Sequence, residues 1–215
     1  ECLWFFINFR RKYNIKGDGM GILFSIILGV GLAAACGFKV FVPFLIMSIA
    51  SMSGHLELAS GFEWIGTSPA LIVFLVATFL EILAYYIPYI DNILDIISTP
   101  VAVISGILVT ASCIQGLSPL FTWTLAVIVG GSVAGGVKTV NTAIRGTSTA
   151  ATGGIGNNIV NTLQTLLSFV MSGLVIILPF LFVIFSIILI ILLIFFIKKR
   201  KKKVGSDNEK DSNSR

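Results

Sequence analysis

Four charged residues lie in or beside long apolar runs, and they are the side chains that could do chemistry in this chain. Glu81 lies well inside the apolar run of residues 68–88, and Lys39, Lys138 and Arg145 are the cations found between the two basic ends. A carboxyl group within a membrane segment is costly unless it is paired, protonated or faces a cavity. Glu81 can therefore be a proton or substrate relay, or one half of a static ion pair with one of the three cations.

The cations themselves also allow two interpretations. Lys39 and Lys138 could face each other and form a positive site for an anion or a lipid phosphate, or each could extend to the membrane interface and simply end its helix. Arg145 follows Lys138 by seven residues, which is two helical turns along the same face if this segment is helical. The three cations together favour an anionic or zwitterionic solute.

A polar stretch at residues 129–158 contains eight glycines and many Thr, Ser and Asn residues within an otherwise apolar chain. Such a segment is tolerated at membrane depth only where protein or a water-filled cavity surrounds it. Its hydroxyls could coordinate a solute or bond neighbouring helices, and its glycines could leave N–H groups for an anion or form a capped loop. We predict a substrate or ion pathway formed by Lys39, Glu81, Lys138, Asn141, Arg145, Ser148, Thr149, Thr152, Asn157, Asn158 and Gln164.

Two further groups of polar residues follow the run that holds Glu81. Asp91 and Asp95 are one helical turn apart and could share a cation, but we favour exposed carboxylates at the membrane interface. Tyr85, Tyr86 and Tyr89 are typical of the aromatic belt at that interface. Neither group is assigned to the pathway.

Familiar catalytic and metal-binding motifs do not occur in the sequence. His55 is the only histidine, which excludes a histidine-rich metal site and an HExxH helix. Residues 131–139 nearly match a phosphate-binding loop, but Val137 separates the glycine from the lysine. Most Lys and Arg residues lie in residues 10–16 and 198–203, where they flank apolar runs. We therefore expect no enzyme, no metal, no cofactor and no nucleic-acid partner.

The elements that must position these residues are apolar helices, so we predict an all-α, polytopic membrane helix bundle with six to eight hydrophobic segments. The chain is 56% hydrophobic and only 12% charged, which is outside the range of soluble proteins. The predicted spans are residues 20–37, 39–53, 68–88, 100–116, 119–136 and 159–197, the last broken in two at Pro179. A lead-in at 1–19 and a basic stop with a disordered tail at 198–215 flank one transmembrane domain at 20–197.

A weak internal repeat appears when the chain is shifted by 99 residues. Six of the 25 positions from Val30 to Gly54 are then identical, and Lys39 falls on Lys138. The repeat divides the domain into halves at about 20–98 and 119–197, linked by a span at 99–116, and a pathway between them is typical of transporters. The residues expected to pack helices closely or act as hinges are Gly31, Gly37, Pro43, Gly130, Gly136, Gly153 and Gly154.

Each half contains a short segment, residues 39–53 and residues 138–152, and its form decides the topology. If both are re-entrant hairpins there are six crossings and the halves are inverted; if both cross, there are eight and the halves run parallel. We favour six crossings with two hairpins, because residues 138–152 are too short and too polar to face lipid. Either topology places both termini in the cytoplasm.

Three blocks of the sequence carry a family resemblance: GFKVFVPF at 37–44, TSPALIVFLVATFLEILAYYIPYIDNILDIISTP at 67–100 and STAATGGIGNNIV at 148–160. With them the chain, over residues 21–179, resembles a bacterial integral-membrane family known only as a domain of unknown function. The resemblance implies a multi-span inner-membrane protein and no particular activity. Typical members carry a second acidic residue where this chain has Gln164, so the resemblance does not extend to a role shared by two carboxylates.

From these observations we expect a small bacterial inner-membrane transporter or channel for an anionic or zwitterionic solute, with its pathway between the repeat halves. The expected partners are the lipid bilayer, an unidentified small solute or ion, and a second copy in a possible homodimer. The alternative is a non-transporting membrane scaffold or lipid-interaction protein, in which the polar residues only pack helices.

Overall fold

The computed structural model describes residues 19–87, 90–153 and 156–177, and in these ranges the chain is helical with short connections and has no β-strand. The helices are α1 (Gly19–Cys36), α2 (Phe41–Met52), a 3₁₀ turn (Glu63–Gly66), α3 (Ser68–Ala84), α4 (Ile90–Cys113), α5 (Pro119–Leu125), a π-helical segment (Ala126–Gly131), α6 (Ser132–Thr152) and α7 (Asn157–Ile177). The predicted all-α bundle is confirmed. The predicted break at Pro179, the lead-in and the tail lie outside the described residues.

Local sequence explains where these helices begin and end. The side chain of Thr67 accepts a hydrogen bond from the backbone N–H of Ala70 at the start of α3, with Pro69 in the first turn. Gly153 ends α6 with a left-handed backbone (φ 63°), a conformation that costs glycine nothing. Pro43, one of the predicted packing or hinge residues, is buried in the first turn of α2, where a proline is tolerated because a first-turn residue needs no N–H donor.

Three of the described helical stretches are long and apolar enough to cross a membrane: Ile93–Cys113, Pro119–Ala150 and Asn157–Ile177. The shorter α3 turns a row of large apolar side chains outward, among them Ile72, Val76 and Phe79. Such a face suits lipid, and the helices are those of a membrane protein.

The second short segment of the predicted repeat is not a re-entrant hairpin. α5, the π-helical segment and α6 follow one another without a break, so one helix runs from Pro119 to Thr152, roughly 50 Å at 1.5 Å per residue. The first short segment is likewise one helix, α2, and not a hairpin. Residues 138–152 are therefore neither a hairpin nor a separate crossing, but the second part of one helix, and Gly136 lies in the middle of that helix rather than at a hinge.

Close contacts show how the helices run relative to one another. Thr110 of α4 donates a hydrogen bond to the carbonyl of Gly29 in α1 at 3.2 Å, and the backbone N–H of Ala59 bonds the carbonyl of Ser112 at 2.8 Å. The middle of α1 and the connection between α2 and α3 thus lie near the end of α4 that carries Cys113. We call this the connector end of the bundle; α3 ends and α4 begins at the opposite end.

Glycines allow the backbones to approach at two predicted packing positions. A Cβ atom on Gly37, in the turn between α1 and α2, would lie 2.8 Å from the carbonyl oxygen of Ala134 in α6, and one on Gly130 would lie 2.6 Å from that of Gly106 in α4. A Cβ on Gly136 would meet nothing within 4 Å. Gly31 is buried in α1, and Gly154 lies outside the described residues.

Candidate functional site

The aromatic ring of Tyr85, the residue that follows α3, is the centre of a cluster of buried cations. Lys39 Nζ lies 3.6 Å from the ring centroid, Arg145 Cζ 4.6 Å and Lys138 Nζ 5.4 Å. These four residues are only 1% to 4% exposed. Cation–π attraction to one ring draws together charges that would otherwise repel each other. Residues 39, 138 and 145, which the sequence predicted to share a site, therefore do so.

The phenol oxygen and one carboxylate complete the cluster. Lys138 Nζ donates to Tyr85 Oη at 3.0 Å and lies 3.4 Å from Asp95 Oδ1, while Arg145 Nε donates to Asp95 Oδ2 at 2.9 Å. Tyr85 Oη in turn donates to Ser98 Oγ at 3.2 Å. Asp95 thus bridges the two cations of α6, and the favoured interpretation of Asp95 as an exposed interfacial carboxylate is wrong, as is that of Tyr85 as part of the aromatic belt.

Lys39 extends the cluster to α7. Its ammonium group donates to Asn161 Oδ1 at 2.6 Å across a buried contact. An ammonium group can only donate, so the atom it meets must be the amide oxygen and the Nδ2 group of Asn161 points elsewhere. The turn between α1 and α2 is also fixed by α6, since Asn141 Nδ2 donates to the carbonyl of Gly37 at 2.9 Å.

Glu81 contacts the backbone at the start of α2 and not a cation, so the predicted static ion pair is absent from the described residues. Its two carboxylate oxygens accept hydrogen bonds from the backbone N–H groups of Val40 at 2.8 Å and Phe41 at 3.1 Å, at the start of α2. Within the described part of the chain no salt bridge joins Glu81 to Lys39, Lys138 or Arg145. The carboxylate satisfies the N–H groups that the first turn of a helix leaves unpaired, and its charge suits the positive end of the helix dipole.

One face of α7 is a buried polar stripe. Its members recur at helical spacing and are Asn157, Asn161, Gln164, Ser168 and Ser172, all buried. Ser168 Oγ donates to the carbonyl of Ala35 at 3.0 Å. Among the described residues, Asn161 Nδ2, Gln164 Nε2 and Ser172 Oγ have no hydrogen-bond partner. A buried polar group without a partner costs about 1–3 kcal/mol, so three of them on one face require an explanation.

The remaining predicted pathway residues lie at the end of this stripe or away from it. Asn157 Nδ2 donates to Thr149 Oγ1 at 2.9 Å, which ties the start of α7 to the end of α6. Ser148 is half-buried, whereas Asn158 is exposed and does not face the cluster's side of α7. The side chain of Thr152 lies outside the described residues.

The cluster brings three buried cations, Lys39, Lys138 and Arg145, close to the carboxylate of Asp95. Like charges gathered inside a protein are costly, and a bound anion would lower that cost. The described residues contain no group of three His, Cys, Asp or Glu side chains that could hold a metal ion.

Sequence reasoning missed Tyr85, Asp95, Asn161 and Ser98. One signal was present: Asn157, Asn161, Gln164, Ser168 and Ser172 follow the spacing of one helical face, as do Lys138, Asn141 and Arg145. Asp95 carried no such signal, because only the packing of α4 against α6 reveals its partners.

A cleft of about 300 Å³ lies at the connector end, lined by residues that include Phe62, Trp123 and Ile114. The rings of Phe62 and Trp123 are 6.2 Å apart, and Gln115 Nε2, which also lines the cleft, donates to the carbonyl of Glu57 at 2.8 Å. The cleft is separated from the cation cluster by most of the length of α4.

Comparison with known proteins assigns the chain to a family. The model of a family described as "Domain of unknown function (DUF4126)" matches residues 26–199, a range that contains every residue of the cluster. No curated protein and no solved structure matches the chain. The chain therefore belongs to the DUF4126 family, in agreement with the resemblance seen in its sequence blocks.

Proposed function

We propose that this protein is a transporter or channel of the bacterial inner membrane for a small anionic or zwitterionic solute. The observation that carries the proposal is the buried cluster in which three cations meet one ring and one bridging carboxylate. Charged groups within a membrane bundle mark substrate and ion pathways because their burial is otherwise costly.

The position of Lys39 supports transport rather than binding alone. Lys39 lies in the turn between α1 and α2, and α2 has 12 residues, a length of roughly 18 Å against a hydrocarbon core of about 30 Å. A helix that short cannot reach from one membrane surface to the other, and we infer that the turn before it lies at membrane depth. Irregular backbone at that depth is typical of transporters, where it lies beside the bound solute.

The test is a flux assay in liposomes that contain the purified protein. Anions and zwitterions of increasing size are loaded inside the liposomes, and the flux of each is compared with that of potassium, which the three buried cations should exclude. Lys39→Met should lower anion flux by about ten-fold or more, because it removes a charge from the site, whereas Lys39→Arg should retain most of it.

Asn158→Leu is the matched control, since Asn158 is exposed on the same helix that binds Lys39. It should leave flux unchanged. Elution of each variant as one species on size-exclusion chromatography shows that the bundle is intact. Flux no higher than in empty vesicles for every solute would remove the proposal and leave the cluster as a structural lock between helices.

A further inference from the structure

The face of α7 that contacts Lys39 carries two amide groups whose N–H donors have no acceptor in the described chain. Asn161 Nδ2 and Gln164 Nε2 are both without a hydrogen-bond partner there, and their residues are 0% and 6% exposed. Residues three apart on a helix are neighbours on one face. Both donors therefore belong to the buried face of α7 on which Asn161 binds the cation Lys39.

Donors of this kind select an anion. Amide N–H groups and an ammonium group have no lone pair to offer a metal cation. Of the two amide oxygens, that of Asn161 is already bonded to Lys39 at 2.6 Å. The two atoms without a partner, Asn161 Nδ2 and Gln164 Nε2, can only donate.

The surroundings select a small anion. Lys39, Asn161 and Ser168 are almost completely buried, Lys39 lies 3.6 Å from the centre of the Tyr85 ring, and Ser168 Oγ already bonds Ala35. Organic solutes occupy pockets of about 300 Å³ or more, whereas here the neighbouring groups are in contact with one another. The site suits a single atom that has lost its water.

We propose that Asn161, Gln164 and Lys39 form a binding site for a dehydrated monovalent halide such as chloride. The inference deepens the proposed function, on which it rests for the role of the bound ion. The solute bound on this face of α7 would be a small monovalent anion, held by hydrogen bonds from N–H groups.

The test measures binding, not flux. The intact protein in nanodiscs is prepared in potassium gluconate, and chloride or bromide is added while the midpoint of thermal unfolding is followed. Both halides should raise the midpoint in a saturable manner, because a ligand that binds only the folded state stabilises it. Gluconate is too large for the site and should have no effect at equal ionic strength.

Variants locate the site. Gln164→Glu keeps the shape of the side chain and replaces its N–H donors with a carboxylate. Chloride should therefore bind at least about ten-fold more weakly. Asn161→Leu should act in the same direction. Ser168→Ala, on the same buried stripe, and Asn158→Leu, exposed on the same helix, should both keep the affinity of the native protein.

Bromide gives a second readout, because its anomalous scattering in crystals should show a peak between residues 161 and 164. The inference is overturned if halides raise the midpoint no more than gluconate does, or if Gln164→Glu keeps the native affinity. Halide binding without flux would support this site and remove transport. Flux of organic anions without halide binding would overturn the site and leave the proposed function standing.

Discussion

Tyr85 and Asp95 are the residues on which the buried cations depend. The ring attracts all three cations, and the carboxylate bridges the two on α6. Removal of either partner leaves charge buried without compensation, which costs more than the pair contributes in the first place. The pairing is therefore a strong determinant of how α4 and α6 pack.

Asp95→Asn tests this at the level of one side chain. The substitution leaves the ammonium of Lys138 and the guanidinium of Arg145 without their carboxylate, and it should lower the free energy of unfolding by about 3–5 kcal/mol. Chemical denaturation in mixed micelles measures the change. Glu57→Gln removes a carboxylate that is exposed at the connector end and should have little effect; an equal loss in both variants would contradict the bridge.

Which residues form the cluster could be predicted only in part. Lys39, Lys138 and Arg145 stand out because charge is rare in an apolar chain, and their meeting could be inferred from the spacing of α6. Tyr85 and Asp95 could not, since a tyrosine and an aspartate at the end of a span occur equally well at a membrane surface. Their roles follow from contacts between residues 43 to 60 positions apart in the chain.

Glycine placement controls how closely the helices approach. A Cβ atom on Gly130 would collide with Gly106 and Thr110 of α4, whereas one on Gly136 would meet nothing. Gly130→Ala should therefore lower the free energy of unfolding by about 1–3 kcal/mol through overpacking, while Gly136→Ala should raise it by about 0.5–1 kcal/mol. Thermal or chemical unfolding of the two variants measures both changes in the free energy of unfolding. A change of the same sign in both would contradict the close packing of Gly130 against α4.

Glu81 determines whether the start of α2 stays in place. Replacing it by leucine leaves the N–H groups of Val40 and Phe41 without their acceptor, which should cost about 0.5–2 kcal/mol and loosen the turn after α1. Cys36 lies directly before that turn and is buried. In a background without Cys2 and Cys113, maleimide should modify Cys36 several-fold faster in Glu81→Leu.

Glu81→Gln retains one oxygen acceptor and should lie between the native protein and Glu81→Leu in that rate. Glu57→Gln should match the native protein. A labelling rate that does not change in Glu81→Leu would show that the carboxylate does not hold the turn.

Most helix bounds were predictable from apolar runs, but the continuity of α6 was not, because a polar segment can be helical wherever other helices cover it.

At the scale of the whole bundle, we expect the connector end to lie on one side of the membrane and the end of α6 on the other. Cysteines placed at His55 and Ala150, in a background without native cysteines, should react with an impermeant maleimide from opposite sides. A cysteine at Gly136 should react from neither side, because it lies midway along the helix. Labelling of 55 and 150 from the same side would support eight crossings, and labelling of 136 would support a hairpin.

The helix from Pro119 to Thr152 is longer than the bilayer is thick. Transmembrane helices tilt by up to about 40°, and at that angle a 30 Å core takes up about 40 Å of helix, so roughly 10 Å of this one must emerge. The threonine-rich end of α6 is the part that can do so at little cost. Lys138 and Arg145 lie on this helix, so we expect lipid chain length to act, through the tilt, on the two cations held against the ring of Tyr85.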